Sequence, residues 1–322
     1  MTTAADLTAA LRRSFDRDPA AEPGTFVVLQ AFDAAHGRLL VAASPSGRSA
    51  VILPDLFATT PAGFATRKLT ATPAPKVTLT LDGATRTISA TIVECAAPDV
   101  VEPFAALAHC IFALLNEKDS ATWPVVHGIL RQWSSLFAEG RNLDEKEALG
   151  LWGELWVLAS SSRTAALIEG WRGPHAGVAD FVSKAGRLEV KTASRPFVHH
   201  VSHGQVELDG AYFLSLCAEE GEDGETVSDL VQEVLRRLPD PSVFYAGLTR
   251  VGCSLQTLEL SKARRVMLTA PALFRAEDVP RVREIDSGVS SVRYTVTLEA
   301  GRALRGTQLT DAAALFGLDL RK

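Results

Sequence analysis

Cysteine is scarce and scattered. Cys95, Cys110, Cys217 and Cys253 lie far apart with no CxxC pair. That excludes a zinc knuckle or a disulfide framework and fits a reducing, cytoplasmic setting. A strong excess of one charge is also missing. Against 33 Lys and Arg stand 38 Asp and Glu, for a net charge of −5. Any polyanionic partner must therefore be met by a local basic surface, because the chain as a whole offers no attraction. The opening MTTAADLTAALRRSFDRD mixes charges without a sustained apolar core, so it does not read as a signal peptide. No apolar run elsewhere is expected to reach membrane-spanning length. GxxxxGK[ST], GxSxG and HExxH are all absent, which removes the phosphate loop, the nucleophile elbow and the paired-histidine zinc helix.

What is there is an ordinary folding composition, 47% hydrophobic and 22% charged, over 322 residues. This length suits two or three modules rather than one core. Residues 3–16 read as a short helix. From Thr25 to Cys95 the texture is β: TFVVLQAFD, RLLVAAS, SAVILP and the hairpin VTLTLDGATRTISATIV, with Asp82-Gly83 at its tip. AAPDVVEP breaks the pattern. FAALAHCIFALLNE, VVHGILRQWSSLFAEG and DEKEALGLWGELWVLASSS then show helical spacing, the last capped by Asp144. AYFLSLCAE reads as a strand and TVSDLVQEVLRRL as an amphipathic helix. SVFYAGLT, RRVMLTA and SVRYTVTLEA read as strands of a mixed tail. The expected division is an N-terminal β-rich domain (1–100), a helical connection (101–145), an α/β core (146–240) and a C-terminal α+β extension (241–322).

The chemistry concentrates in ADFVSKAGRLEVKTAS, Ala179 to Ser194. Residues two apart on a strand share a face, so Glu189 and Lys191 point one way while Leu188 and Val190 point to the core. A connection with an even number of residues, such as Lys184-Ala185, brings Asp180 to the Glu189/Lys191 face; an odd one sends it to the other. Two carboxylates a few ångströms apart bind a hard divalent cation, with the Val190 carbonyl available as a further ligand. Such a cation lowers the pKa of bound water and neutralises charge on a phosphate, and Lys191 would orient the water or stabilise that charge. The competing reading is a charged, solvated strand. A second acidic group, Asp119 with Asp144-Glu145-Lys146, is rejected because it sits at a helix start.

Upstream, Glu154 is the only charged residue in ALGLWGELWVLASSS. A carboxylate wrapped in Trp152, Leu155, Trp156 and Leu158 needs a cation, a metal or good donors. It pairs with an arginine of another element, lies at a partly open edge, or points at the same site. Downstream, TASRPFVHHVSHGQ carries Arg195, His199, His200, His203 and Gln205, with no acid until Glu207. It reads as a phosphate-binding rim that gains charge at lower pH, or as a polar loop with surface histidines. Trp152, Trp156 and Trp171 are expected in the core.

GLWGELWVL, then W-x-G-P at Trp171 to Pro174, then ADFV and LEVKT, together resemble the PD-(D/E)xK nuclease superfamily. More narrowly they resemble a bacterial family described as "putative PD-(D/E)XK" members. The resemblance covers roughly Lys146 to Leu238 and extends weakly along the chain. It implies a restriction-endonuclease-like α/β core, a mixed sheet flanked by helices. It matches Asp180 to the motif's Asp, Glu189 to its second acid, Lys191 to its lysine and Glu154 to the acid of the preceding helix. Ala179 stands where the superfamily's name has Pro. A Gln-x-x-x-Tyr motif known in some branches is not matched, since Gln205 is followed by Tyr212 at the wrong spacing.

The function implied is a Mg²⁺- or Mn²⁺-dependent DNA endonuclease, a component of a bacterial restriction or antiphage system. In this reading Asp180, Glu189 and the Val190 carbonyl hold the metal. Lys191 and Glu154 complete the catalytic set, and Arg195, His199, His200 and Gln205 meet the substrate. DNA, protein partners of a defence system and a second copy of the chain are the partners to consider; a membrane is not. The alternatives are a module that keeps the fold without cleaving and a subunit that docks on a partner.

Overall fold

The structure, a computed structural model, describes residues 4–16, 24–56, 63–117, 122–172, 179–207, 209–289 and 291–320. It forms two compact units, residues 1–139 with 240–249 and residues 140–239 with 250–322. The described residues carry ten α-helices and three sheets, a mixed α/β arrangement.

In the first unit, α1 (Ala4–Phe15) precedes β1 (Thr25–Ala34), β2 (Gly37–Ala43), β3 (Ser49–Pro54), β4 (Phe64–Ala65), β5 (Leu69–Leu81) and β6 (Ala84–Cys95). The sheet runs β1-β2-β3-β6-β5-β4, and a parallel pairing of β1 with β5 closes it on itself. Leu40, Ile52, Val77, Leu79 and Ala90 form one of its apolar clusters. At the β5–β6 tip, Asp82 and Gly83 have φ of 52° and 78°, the left-handed pair whose twist matches the flanking strands. The register slips between Ala74 and Val77, where Pro75 has no N–H to give the ladder.

Two expectations are corrected in this unit. Pro98–Leu115, which includes α2 (Val101–Leu115), is long and apolar enough to cross a membrane, with mean hydropathy 1.5. It is 61% buried, and its Phe104, Leu107 and Ile111 belong to the core. The second correction follows α3 (Trp123–Ser134). SVFYAGLT, expected as a strand, is the helix α8 (Ser242–Val251). Aromatic and apolar residues there suggest a strand, yet Phe244, Tyr245 and Leu248 fall on one helical face and are buried. Asp240 starts the helix: its carboxylate accepts from the Ser242 N–H at 2.9 Å and the Ser242 hydroxyl at 2.7 Å.

The second unit holds the candidate site. Its elements are α4 (Glu145–Ser160), α5 (Thr164–Gly170), β7 (Phe181–Ser183), β8 (Gly186–Ala193), β9 (Val198–Ser202), α6 (His203–Val206), β10 (Ala211–Glu225), α7 (Val227–Arg237), α9 (Leu255–Leu260), β11 (Arg265–Met267), β12 (Ala272–Arg275), β13 (Arg293–Thr297) and α10 (Gly306–Leu315). The central sheet runs β11-β10-β8-β7, with β12 also on β10. β7 and β8 are antiparallel and β8 and β10 parallel. The parallel pairing needs a crossover, which β9 and α6 supply. β9 pairs with the distant β13; Val201, Val206, Phe213, Phe274 and Val296 form a core here.

α4 begins as expected, with a reciprocal cap. Asp144 accepts from the Glu147 N–H at 2.7 Å, and Glu147 accepts from the Asp144 N–H at 3.1 Å. Its middle lies close against β8: a Cβ on Gly153 would stand 1.9 Å from Thr192 Oγ1. Only glycine permits this approach, and it sets the position of the next residue, Glu154.

Candidate active site

The β7–β8 connection is the two-residue Lys184-Ala185, with Ser183 opposite Gly186 and Phe181 opposite Leu188. One step outward from Phe181, Asp180 is therefore level with Glu189. Its Oδ2 accepts the Val190 N–H at 2.7 Å. A strand residue turns its N–H and C=O to the same edge, so the Val190 carbonyl also faces this end of β7.

Glu189 is 1% exposed, and its two oxygens differ sharply. Oε1 lies 2.6 Å from Lys191 Nζ and accepts from Gln205 Nε2 at 2.5 Å. Oε2 is buried without a hydrogen-bond partner. Glu154 on α4 accepts from the Trp171 indole N–H at 2.5 Å. Among the described residues no arginine forms an ion pair with it; its electrostatic neighbours include Asp180, Glu189 and Lys191.

Three carboxylates thus share one largely buried site with one ammonium. Burial, then the Asp180 charge, raises Glu154 well above the ordinary carboxylate range. Burial also raises Asp180, against the opposing pull of Lys191 and the Val190 N–H. Glu189 is raised to about 8 by burial and then by Asp180. For Lys191 burial works against the charge, but Glu189 and Asp180 outweigh it and the pKa rises. An unmet negative charge in a water-poor site calls for a cation or a proton.

Among the described residues no three His, Cys, Asp or Glu side chains form a ready-made metal group. The donors nevertheless suit a hard divalent ion. They comprise an orphaned carboxylate oxygen on Glu189, a second carboxylate on Asp180 and the Val190 carbonyl, for an ion that keeps several waters.

The rim residues separate. The stretch with the two readings of rim or loop is a strand and a helical turn, β9 and α6. Strand alternation sends His199 inward, 2% exposed, where its Nε2 is 2.7 Å from Ser215 Oγ. Burial, then Lys191, lowers its pKa to about 4. His199 is therefore a neutral wall of the site, with no charge to give a phosphate above pH 5. His200 points outward and its Nδ1 meets Thr295 Oγ1 at 2.9 Å. Arg195 is exposed in the β8–β9 turn. Gln205 is held inside by Glu189. Gly173, Pro174, Val178 and Asp119 lie outside the described residues.

Trp152 and Trp171 are buried, as expected for core residues, whereas Trp156 is only partly buried. Trp171 is also the donor that Glu154 requires, which its sequence position did not reveal. Ser215, level with Lys191 on the neighbouring strand, was not foreseen either; a serine in the apolar run AYFLSLCA was the available signal.

The model of the family DUF4420, described as "Putative PD-(D/E)XK family member", matches residues 58–299. The chain belongs to this family. Membership accounts for a nuclease-like fold, and PD-(D/E)XK nucleases generally use divalent metals. No curated protein and no solved structure matches the chain.

Proposed function

We propose that the chain is a divalent-metal-dependent endonuclease that hydrolyses phosphodiester bonds in DNA. The observation that carries this reading is the asymmetry of Glu189, one oxygen held by Lys191 and Gln205 and the other buried without a donor, beside Asp180 and Glu154. Asp180, Glu189 and the Val190 carbonyl would hold Mg²⁺ or Mn²⁺. When bound, the ion would supply a more acidic water and a counter-charge for the scissile phosphate. Lys191 stays protonated at Nζ and is poised to stabilise charge on a non-bridging phosphate oxygen or to orient the attacking water. Glu154, with its high pKa, can hold a proton at the edge of the same cluster. Arg195 and His200 are the outward groups for the phosphate backbone.

A role in bacterial restriction or antiphage defence, with protein partners or a second copy of the chain, belongs to the same proposal and rests on the family likeness. The four free thiols fit a cytoplasmic setting. A second reading, a binding module without cleavage, is favoured by the absence of a preformed three-ligand group among the described residues.

Supercoiled and linear DNA are to be incubated with Mg²⁺ or Mn²⁺ and wild-type, Lys191→Ala or Asp180→Asn protein. Cutting that requires the metal and is lost in both variants is the expected result. No cutting by a protein that binds Mn²⁺ through Asp180 would select the second reading. No cutting and no Mn²⁺ binding would end the metal-centre assignment.

A further inference from the structure

Resting on this metal-centre reading, we propose that Gln205 is a positioning residue, which holds Glu189 so that one defined oxygen is left for the cation. α6 is a single helical turn directly after β9, and Gln205 is its third residue. The side chain is fixed at both ends of its amide. Its Oε1 accepts the Ser202 N–H at 3.0 Å, and its Nε2 donates to Glu189 Oε1 at 2.5 Å. The first contact settles the orientation of the amide, because an N–H can only be met by the oxygen. That leaves the NH₂ group turned to the carboxylate.

Lys191 Nζ reaches the same Oε1 at 2.6 Å. Both donors act on one oxygen and neither on Oε2, which is buried and unpartnered. A carboxylate with equivalent donors on both oxygens would have to give one up to bind a cation; this one does not. Gln205 also keeps Lys191 from being the sole partner of Glu189, so the ammonium can turn toward a phosphate without leaving Oε1 bare. The amide is therefore committed to the metal side of the site, and the substrate-binding role expected for Gln205 gives way to an indirect one. Ser215 and His199 satisfy each other beside it, and among the described residues Lys191 and Gln205 are the side chains that donate to Glu189.

The test is Mn²⁺ binding by calorimetry on wild type, Gln205→Met and Gln205→Asn. Methionine keeps the length and removes both amide contacts, whereas asparagine keeps an amide one methylene too short to span from Ser202 to Glu189. Loss of one hydrogen bond to an ionised group predicts about tenfold weaker binding or more in both variants. The paramagnetic resonance spectrum of bound Mn²⁺ changes with it, since a freed Glu189 alters the ion's surroundings. In chelator the unfolding midpoint of Gln205→Asn stays close to that of wild type, which separates positioning from a folding defect. Equal Mn²⁺ affinity and an unchanged resonance spectrum in both variants would overturn the inference and leave the metal centre standing. A wild-type protein that binds no Mn²⁺ would overturn both.

Discussion

Glu189 makes the stability of the metal-free protein depend on pH with a definite sign. Its folded pKa is about 8, against about 4.3 for an unfolded glutamate. The native state therefore holds a proton that the unfolded chain has released. The stabilisation is complete below the unfolded pKa and is lost as pH rises through 8. The slope for one proton is about 1.4 kcal/mol per pH unit. Between pH 6.5 and 8 this comes to about 2 kcal/mol, or roughly 4–8 °C in unfolding midpoint for a unit of this size. Glu154, raised in the same direction by burial and Asp180, steepens the fall. The window avoids His199, whose lowered pKa gives stability that is lost only as pH falls below about 6.5. Unfolded cysteines begin to ionise only at the top of this window, and Glu189→Gln shares their contribution. Differential scanning calorimetry in chelator is the assay, with Glu189→Gln as the variant that cannot titrate. The midpoint should fall with pH in wild type, fall less in Glu189→Gln, and recover in wild type at pH 8 when Mg²⁺ or Mn²⁺ is added. A flat wild-type profile, or an equal slope in Glu189→Gln, would refute the reasoning.

Two further outcomes follow from the packing around this site. Gly153→Ala drives a methyl into Thr192 Oγ1, and overpacking of this kind costs about 1–3 kcal/mol in denaturant unfolding; unchanged stability would mean that α4 is not held against β8. His199, buried against Ser215 Oγ, should show neutral imidazole shifts by NMR down to about pH 5 and protonate near 4, whereas an ordinary midpoint near 6.5 would place it in water.

The parts of the fold written in local chemistry were legible in the sequence. Asp82-Gly83 marked the β5–β6 turn, Asp144 marked the start of α4, and the Asp180, Glu189, Lys191 pattern marked the hairpin. What escaped depends on partners far along the chain. β9 exists because β13 pairs with it some ninety residues later, so VHHVS alone, flanked by Pro196 and Gly204, suggested a loop. The same pairing decides that His199 turns inward and His200 outward. Gln205 was visible as a polar residue near the site, but its contact with Glu189 arises only when α6 folds over β8. SVFYAGLT misled because eight apolar and small residues fit a strand or one face of a helix equally well, and the Asp240-Pro241 start was the sign that could have decided it.

The bond from the Val190 N–H to Asp180 Oδ2 gives this aspartate a second occupation. β7 is only three residues long and β8 eight, so beyond Phe181 the edge of β8 has no strand to cover it, and the side chain of Asp180 stands in for the missing backbone acceptor. A relative without the proposed cleavage would still gain by keeping the residue, because losing it would leave an amide without a partner. Lys191 pairs instead with a side chain, the Glu189 carboxylate, and its loss would leave buried acids without their cation. Where relatives have lost the proposed cleavage, a surviving aspartate at 180 would record only that the hairpin is intact, so neither residue alone dates the loss.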